Sequence, residues 1–349
     1  MIEQLNKLYK NNDATIEELE YILDHLDEES TQHLLKLSLQ TKEEHYQDTV
    51  FMRGLIEISN YCKQNCTYCG IRRDNTEADR YRLDKEGILE CCQLGYDLGY
   101  RTFVLQGGED NYYSDDVMTD IVKTINTQFP ECAITLSLGE RSYESYKALY
   151  EAGADRYLLR HETASPDLYA KLHPGMSFEN RRKCHQYLKE IGFQVGAGCM
   201  VGLPEQTNHD LALDLKYLKE LEPQMVGIGP FIAHKKTPLG NNPGGTVDQT
   251  LVMLALTRLL LPSVLLPSTT ALGTLDNQGR EKALKAGGNV VMPNLSPIEH
   301  REKYELYEDK ICTGDEAAHC RKCIEGRINS AGFTVDMSRG DHVHWKRGK

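Results

Sequence analysis

The chain has 349 residues, with 40 Lys or Arg against 52 Asp or Glu, so its formal net charge is −12. This acidic balance argues against binding to nucleic acid or to anionic membranes, because phosphate affinity comes mainly from Lys and Arg. Hydrophobic residues make up 40% and charged residues 26%, which is ordinary globular usage and excludes wholesale disorder. The charged start predicts no signal peptide, and no apolar run approaches the roughly 20 residues of a bilayer span. We therefore expect a cytoplasmic protein.

The chain opens with residues 1–48, which predict two or three amphipathic helices; Leu19, Ile22 and Leu26 form one apolar stripe. From residue 51 short apolar strands alternate with helical segments. The candidate strands span residues 54–58, 102–106, 133–138, 156–159, 194–200, 225–231, 265–268 and 289–292. The candidate helices between them span residues 85–98, 116–127, 143–152, 178–191, 208–221 and 251–260.

These alternations predict an α/β fold in which a complete (β/α)8 TIM barrel occupies residues 49–300. Residues 301–349 would form a C-terminal extension that carries cysteines. An open doubly wound sheet is the alternative, because pattern alone does not fix the number of strands. Polar or Gly-rich residues follow the candidate strands, and in a parallel barrel these strand ends form the active-site face.

Three cysteines follow the first barrel strand as C-x3-C-x2-C: Cys62, Cys66 and Cys69. Thiolates are the usual protein ligands of iron–sulfur clusters. A structural zinc site normally has four ligands, and no fourth Cys or His lies close by in the sequence. The loop therefore predicts a 4Fe-4S cluster with one iron left open, with zinc or a redox switch as alternatives.

This spacing, with Tyr68 before the last cysteine, resembles the cluster motif of the radical S-adenosylmethionine (SAM) superfamily. The resemblance implies that the open iron chelates SAM and that the reduced cluster cleaves it to methionine and a 5′-deoxyadenosyl radical. The GGE run after the second strand and the GxIxGxxE-like run at 198–205 are similar to SAM-binding motifs of that superfamily. The resemblance implies nine cofactor-binding residues: Tyr68, Gln106, Gly107, Gly108, Glu109, Ser137, Glu162, Arg181 and Met200.

Longer runs, including IEISNYCKQNCTYCGIRRDN, VLQGGEDNYYSDDV and EAGADRYLLRHETASPDLYAKLHP, resemble the HydE family of FeFe-hydrogenase maturases over roughly residues 50–325. The sequence departs from that family's usual pattern at Gly107, where Ser is common, and at Glu205, where Gly is. The resemblance implies a role in assembling the di-iron subcluster, in which the radical attacks the cysteine sulfur of an Fe(CO)2(CN)–cysteine complex. It further implies HydG and HydF as partner maturases and flavodoxin or ferredoxin as electron donor. We expect a monomer.

An anionic iron–cysteine substrate needs fixed positive charge and hydroxyl donors in a dry site. The candidate substrate-binding residues are Arg156, Arg160, Thr269, Thr270 and Tyr304. Arg156 and Arg160 are four residues apart on one strand, which puts both on the same face. The resemblance implies that Arg160, Thr269 and Tyr304 line the cavity. Without it, the arginines fit ion pairs and the threonines fit a strand surface equally well.

A second group, Cys312-x7-Cys320-x2-Cys323, resembles the variable accessory cluster of HydE proteins and predicts a 2Fe-2S or 4Fe-4S site. Zinc and no metal at all are the alternatives. Its position after the barrel predicts a surface site remote from SAM. The other cysteines are expected to be small buried hydrophobes: Cys91, Cys92, Cys132, Cys184 and Cys199. His342 and His344 are expected in a solvated tail.

Two other functions fit parts of the sequence. A methylornithine synthase or another biotin-synthase-like radical SAM mutase would share the cluster and SAM motifs. Biotin synthase is disfavoured, because among the strand regions only Cys132 and Cys199 are available to hold a second cluster inside the barrel. A non-enzymatic iron–sulfur carrier would leave the GGE and GxIxGxxE-like runs unexplained.

Overall fold

The computed structural model describes residues 1–314 and 316–348. Asp315, inside the second cysteine group, and Lys349, the last residue of the predicted extension, lie outside these ranges. The helices are α1 (Ile2–Asn11), α2 (Ile16–His25), α3 (Glu28–Tyr46), α4 (Lys85–Asp97), α5 (Asp115–Gln128), α6 (Tyr143–Ala152), α7 (Pro166–Leu172), α8 (Phe178–Ile191), α9 (Asn208–Leu221), α10 (Val247–Leu260), α11 (Thr270–Leu275), α12 (Gly279–Lys285), α13 (Ile298–Arg301) and α14 (Ala317–Ser330). The strands are β1 (Thr49–Met52), β2 (Gly54–Ser59), β3 (Thr102–Gly107), β4 (Ala133–Ser137), β5 (Arg156–Leu158), β6 (Gln194–Ala197), β7 (Met200–Val201), β8 (Met225–Val226), β9 (Gly229–Pro230), β10 (Val290–Val291) and β11 (Thr334–Asp336).

A six-stranded parallel sheet forms the centre of the fold, in the order β2-β3-β4-β5-β6-β8. Parallel neighbours need long crossover connections, which helices α4, α5, α6, α8 and α9 provide. Two smaller parallel sheets have the orders β10-β1-β11 and β7-β9. Because the central strands run in one direction, their carboxyl ends lie along the same edge of the sheet, where the functional residues gather.

The candidate strands at 54–58, 102–106, 133–138 and 156–159 are confirmed, each with its end shifted by one residue. The candidates at 194–200 and 225–231 are each interrupted. The two breaks face each other, because a Cβ on Gly198 would lie 2.0 Å from the Gly227 carbonyl oxygen. The strand at 265–268 is wrong, since only isolated bridges at Leu265 and Pro267 form there and proline has no N–H for a ladder.

The helices predicted at 143–152, 178–191 and 208–221 are confirmed to the residue. Sequence signals explain their ends; Thr207 and Asp210, for example, form a reciprocal capping box at the start of α9. The three N-terminal helices pack on the outside of the fold, α2 against α9 and α3 against α10. Within residues 1–314 and 316–348, each helix is too short or too polar to cross a membrane.

Residues 339–345, here called the C-terminal plug, cover the amino ends of the central strands. The first residues of β3, β5 and β6 all contact this plug. Thr102 Oγ1 donates to the Arg339 carbonyl (2.8 Å), Arg156 Nη2 pairs with Asp341 Oδ1 (2.6 Å), and Gln194 Nε2 donates to Asp341 Oδ1 (2.7 Å). The prediction of a solvated tail is wrong for His342, which is buried and whose backbone N–H donates to Gln194 Oε1 at 2.8 Å.

Candidate functional site

One cavity of about 390 Å³ lies at the carboxyl ends of the central strands. The cysteines of the first group and the cofactor-binding residues predicted from the sequence all line it. They are Cys62, Cys66, Cys69, Tyr68, Gln106, Gly107, Gly108, Glu109, Ser137, Glu162, Arg181 and Met200. The fold thus brings residues from five βα units into one enclosed space.

The three loop cysteines are free thiols on the cavity wall. Burial and the neighbouring Cys62 raise the pKa of Cys66 to about 12, and burial also raises the pKa of Cys62 and Cys69. Each sulfur has hydrogen-bond donors. These are the Gln64 and Glu109 N–H groups at Cys62, the Ile71 N–H at Cys69, and His173 Nδ1, 3.3 Å from Cys66 Sγ. Metal ligation deprotonates thiols, and the donors would stabilise the thiolates, so the residues fit an iron–sulfur cluster.

The turn after β3 packs directly against the cysteine loop. A Cβ on Gly108 would lie 2.2 Å from the Tyr61 carbonyl oxygen and 2.8 Å from Cys62 Cβ, so only glycine fits there. The next residue, Glu109, accepts a hydrogen bond from Gln64 Nε2 at 2.7 Å. The carboxylate is therefore held at the cavity wall beside the cysteines, where it can accept from a cationic ligand group.

Glu162 and Arg181 reach the cavity from the segments after β5 and from α8. Glu162 has a φ of 66°, a conformation that side-chain-bearing residues rarely adopt and that is concentrated at functional sites. Its backbone is held on both sides, since its N–H donates to the Gly198 carbonyl (3.0 Å) and its carbonyl accepts from the Met200 N–H (3.1 Å). Arg181 Nε pairs with Glu140 Oε1 at 2.6 Å.

Four of the five predicted substrate-binding residues line the same cavity: Arg160, Thr269, Thr270 and Tyr304. Arg160 Nε and Thr269 Oγ1 are buried without a hydrogen-bond partner among the residues described. Arg160 Nη2 forms an ion pair with Glu162 Oε2 at 2.9 Å, but neither atom makes a hydrogen bond. Buried donors without partners are costly, and their occurrence on the cavity wall indicates that a ligand with acceptor atoms supplies what is missing.

Arg156, the fifth predicted residue, lies at the other end of its strand, and its assignment to the substrate cavity is corrected. Its side chain is fully buried and pairs with Asp341 in the C-terminal plug. Its Nη1 donates to Thr102 Oγ1 at 3.2 Å. Arg160 lies two residues beyond the end of β5, so the four-residue spacing separates it from Arg156 by roughly 13 Å of extended chain.

Two cavity cations escaped the sequence analysis. Arg280 donates through Nη2 to Thr270 Oγ1 (3.2 Å) and contacts Cys312 Sγ (3.5 Å), with no carboxylate partner in the described part of the chain. Lys310 Nζ is paired with Glu57 Oε1 at 2.6 Å. Neither residue follows a predicted strand or belongs to one of the motifs, so strand ends and motif spacing do not mark them.

The second cysteine group is not a separate surface site, which corrects the sequence prediction. Cys312 and Cys320 line the same cavity, while Cys323 is exposed. Cys320 and Cys323 lie one turn apart on α14, and the contact with the Cys312 thiol, together with burial, raises the pKa of Cys320. This arrangement brings two potential sulfur ligands to the cavity, with Cys323 on the exposed side of the same helix.

Comparisons with known proteins agree with this geometry. Residues 56–218 match the radical SAM superfamily. The chain is 48% identical to the [FeFe] hydrogenase maturase subunit HydE of Thermotoga maritima, over 95% of this chain and 94% of that protein. The crystal structure of methylornithine synthase (PylB) superposes with a TM-score of 0.83 at 25% identity, covering 95% of this chain and 97% of that one. The structure of HydG, a maturase of the [FeFe]-hydrogenase, has a TM-score of 0.81 at 20% identity, covering 96% of this chain and 75% of that one.

The fold is therefore the α/β fold of these radical SAM structures. The extent of the match to the Thermotoga protein excludes a stand-alone iron–sulfur carrier. The chain is a radical SAM enzyme and belongs to the HydE family.

Proposed function

We propose that this enzyme is a maturase that builds the di-iron subcluster of FeFe-hydrogenase. Its reaction would be the attack of a 5′-deoxyadenosyl radical on the cysteine sulfur of an Fe(CO)2(CN)–cysteine complex, in which a C5′–S bond forms and the unpaired electron reduces the iron from Fe(II) to Fe(I). The observation that carries this proposal is a single cavity with thiols on one wall and, on another, the Arg160 Nε and Thr269 Oγ1 donors, which lack hydrogen-bond partners among the described residues. The name and identity of the Thermotoga relative support the same function.

At the cofactor end, Cys62, Cys66 and Cys69 would hold a 4Fe-4S cluster. When bound, the cluster supplies the electron that cleaves SAM to methionine and the 5′-deoxyadenosyl radical. Glu109, already anchored by Gln64, would accept from the methionine ammonium group. Glu162 would bind the ribose hydroxyls. Remaining contacts to SAM are proposed for Tyr68, Gln106, Gly107, Gly108, Ser137, Arg181 and Met200.

At the substrate end, Arg160 Nε and Thr269 Oγ1 would donate to the cyanide and carboxylate groups of the iron complex, because these two atoms lack hydrogen-bond partners among the described residues. Arg280, which has no carboxylate partner among the described residues, would add positive charge near Thr270. Tyr304 would contribute a wall and a hydroxyl. Confinement in this space holds the sulfur close to the 5′ carbon, and such positioning can supply a large part of the rate.

We further propose that the sheet closes into the complete (β/α)8 barrel over residues 49–300. Isolated parallel bridges join Met225 to Leu265, Pro267 to Val290 and Asn294 to Leu55. These bridges continue the strand order from β8 back to β2, which supports closure. Residues 1–48 and 301–349 would flank the barrel.

Cys312, Cys320 and Cys323 are proposed to hold an accessory 2Fe-2S or 4Fe-4S cluster, supported by the adjacent Cys312 and Cys320 thiols. HydG would supply the iron complex, HydF would receive the product, and flavodoxin or ferredoxin would deliver electrons. We propose that the enzyme acts as a cytoplasmic monomer.

Methylornithine synthase activity is the alternative, favoured by the structural similarity to PylB. Its substrate would carry an additional ammonium group, whereas the cavity already contains Arg280, which has no carboxylate partner among the described residues. Like charges in a site of low polarity disfavour that substrate. The greater identity to the Thermotoga maturase also favours the hydrogenase pathway.

The test is anaerobic incubation of reduced, reconstituted enzyme with SAM and either the iron–cysteine complex or lysine. We expect an S-adenosyl adduct from the iron complex and no methylornithine from lysine. Formation of methylornithine, or release of 5′-deoxyadenosine without any adduct from the iron complex, would reject the proposal. The Cys66→Ala protein, which should form neither product, is the control for chemistry that does not depend on the cluster.

A further inference from the structure

The three sulfurs of the cluster loop receive their hydrogen bonds from different kinds of donor. Backbone N–H groups of Gln64 and Ile71 donate to Cys62 and Cys69. Cys66 Sγ instead lies 3.3 Å from a side-chain nitrogen, Nδ1 of His173. Backbone donors are present whatever the side chain, so the contact at Cys66 depends on the identity of one residue.

The position of His173 is fixed by the elements around it. Its imidazole stacks on Tyr169, with ring centroids 4.4 Å apart, and meets Tyr68 edge-on at 5.5 Å. The end of α7 is also joined to the cysteine loop, because the Thr67 N–H donates to the Leu172 carbonyl at 2.9 Å. His173 itself is 2% exposed. The imidazole therefore cannot turn away from Cys66 without disturbing both aromatic neighbours.

The second imidazole nitrogen, Nε2, is buried without a hydrogen-bond partner in the described chain, and His173 lines the cavity. A buried imidazole used only for packing would be expected to satisfy its polar atoms within the protein. The contact of Nδ1 with Cys66 fixes the orientation of the ring and leaves Nε2 free for a ligand in the cavity. When Nδ1 of the neutral ring carries the proton, it donates to a thiolate and Nε2 is the acceptor.

We propose that His173 is a positioning residue that donates a hydrogen bond from Nδ1 to the Cys66 thiolate and thereby raises the midpoint potential of the cluster. Hydrogen bonds to ligand sulfur stabilise the more negative, reduced state, and they are one of the levers that set iron–sulfur potentials. The inference rests on the 4Fe-4S cluster assigned to Cys62, Cys66 and Cys69 under the proposed function. His173 would change the potential of the cluster only through the Cys66 sulfur.

The test is a redox titration of reconstituted enzyme, followed by the electron paramagnetic resonance signal of the reduced cluster, without SAM. We expect His173→Phe to lower the ratio of reduced to oxidised cluster about tenfold at the wild-type midpoint, which is about 59 mV for a one-electron couple. His173→Asn, whose amide nitrogen can replace Nδ1, should recover part of this shift. Tyr169→Phe keeps the ring that stacks on His173 and should leave the potential unchanged.

Iron and sulfide content shows whether a variant fails to bind the cluster or binds it without the expected shift in potential. If wild-type protein binds no iron at this loop, the proposed function itself is rejected. If His173→Phe binds a full cluster at the wild-type potential, or His173→Asn shifts as far as His173→Phe, the role of His173 is refuted. Should His173→Phe not load a cluster, wild-type protein labelled with 15N-histidine decides the matter. Pulsed measurements must then detect a histidine nitrogen coupled to the reduced cluster, and its absence would overturn the proposal.

Discussion

Arg156 begins strand β5 and Arg160 follows its end, and the two side chains face opposite ends of the fold. Arg156 lies beneath the C-terminal plug, is fully buried and donates its Nη hydrogens to Asp341 and Thr102. Arg160 faces the cavity, where it pairs with Glu162 at 2.9 Å and its side chain is 29% exposed. Both arginines therefore have a carboxylate partner, but only the pair at the carboxyl end remains open to something that the protein binds.

This difference separates stability from function within one sheet. Removing a partner at the plug leaves an uncompensated buried charge and destabilises the fold. Removing Arg160 at the cavity breaks a partly exposed ion pair with Glu162, so it should harm ligand binding much more than stability. The predictions that follow test this separation in order of decreasing effect.

Replacing a cluster ligand should have the largest effect. Cys66→Ala removes one of three sulfurs, and we expect the loss of the 4Fe-4S absorption and of SAM cleavage to background, measured as 5′-deoxyadenosine release. Cys92→Ala, a buried cysteine away from the loop, is the matched control. Substantial SAM cleavage by Cys66→Ala protein would disprove the ligand assignment.

Arg156→Ala should lower the free energy of unfolding by about 3 kcal/mol, because it removes a fully buried donor from Asp341, Thr102 and the Arg339 carbonyl and leaves Asp341 with Arg339 as its remaining cation. Urea denaturation measures the effect. Combining Arg156→Leu with Asp341→Leu removes both charges and should recover much of the loss. At low denaturant, SAM cleavage per folded molecule should equal that of wild type; a selective fall in activity would contradict the purely structural role.

Arg160→Ala should show the opposite behaviour. A hydrogen bond to a charged group contributes about 1.5–3 kcal/mol, so we expect the iron–cysteine complex to bind roughly 10- to 100-fold more weakly. The free energy of unfolding should fall by at most about 1 kcal/mol, because the ion pair that Arg160 makes with Glu162 is partly exposed. Equal loss of stability in Arg156→Ala and Arg160→Ala would remove the distinction between the two ends.

The plug should also respond to acid. Burial alone would raise the pKa of Asp341, but Arg156 and Arg339 outweigh burial and hold this pKa below its usual 3.8. A lowered folded-state pKa stabilises the protein above the unfolded value, and this contribution is lost as pH falls below about 4 toward the folded-state pKa. Asp341→Asn should therefore flatten the pH dependence of unfolding in that range. An unchanged acid transition would show that Asp341 does not contribute to it.

Replacement of the accessory cysteine should have the smallest effect on chemistry. Cys320→Ala should keep SAM cleavage at the wild-type rate while lowering iron content, because this cysteine is separate from the loop that binds SAM. Iron analysis and 5′-deoxyadenosine release measure the two properties. Loss of SAM cleavage equal to that in Cys66→Ala would refute an accessory role.

The cofactor end of the site could be predicted from the sequence because its residues form compact motifs. Cys62, Cys66 and Cys69 lie within eight positions, and the GGE turn follows one βα unit later. All nine residues predicted to bind the cofactor line the cavity. Local spacing fixes such sites, since each motif is positioned by the strand that precedes it.

Long-range contacts were the part that sequence could not provide. Strand periodicity predicted one face for Arg156 and Arg160, but β5 ends before Arg160, and periodicity carried no information about which end the plug covers. Arg280 and His173 reach the cavity from helical segments or helix ends, where an isolated charged or aromatic residue resembles ordinary surface or core. β11 escaped prediction because a three-residue strand far from its partner β1 leaves no periodic pattern.

The plug also affects the order in which the molecule can fold as it is synthesised. Arg53 Nη2 donates to the Gly340 carbonyl across 287 positions of sequence. A nascent chain emerges at about 5–20 residues per second, so Arg53 leaves the ribosome many seconds before Gly340 is synthesised. During that interval the amino ends of the central strands must stay hydrated. The hydrogen bond from Arg53 to the plug therefore forms in one of the last steps of folding.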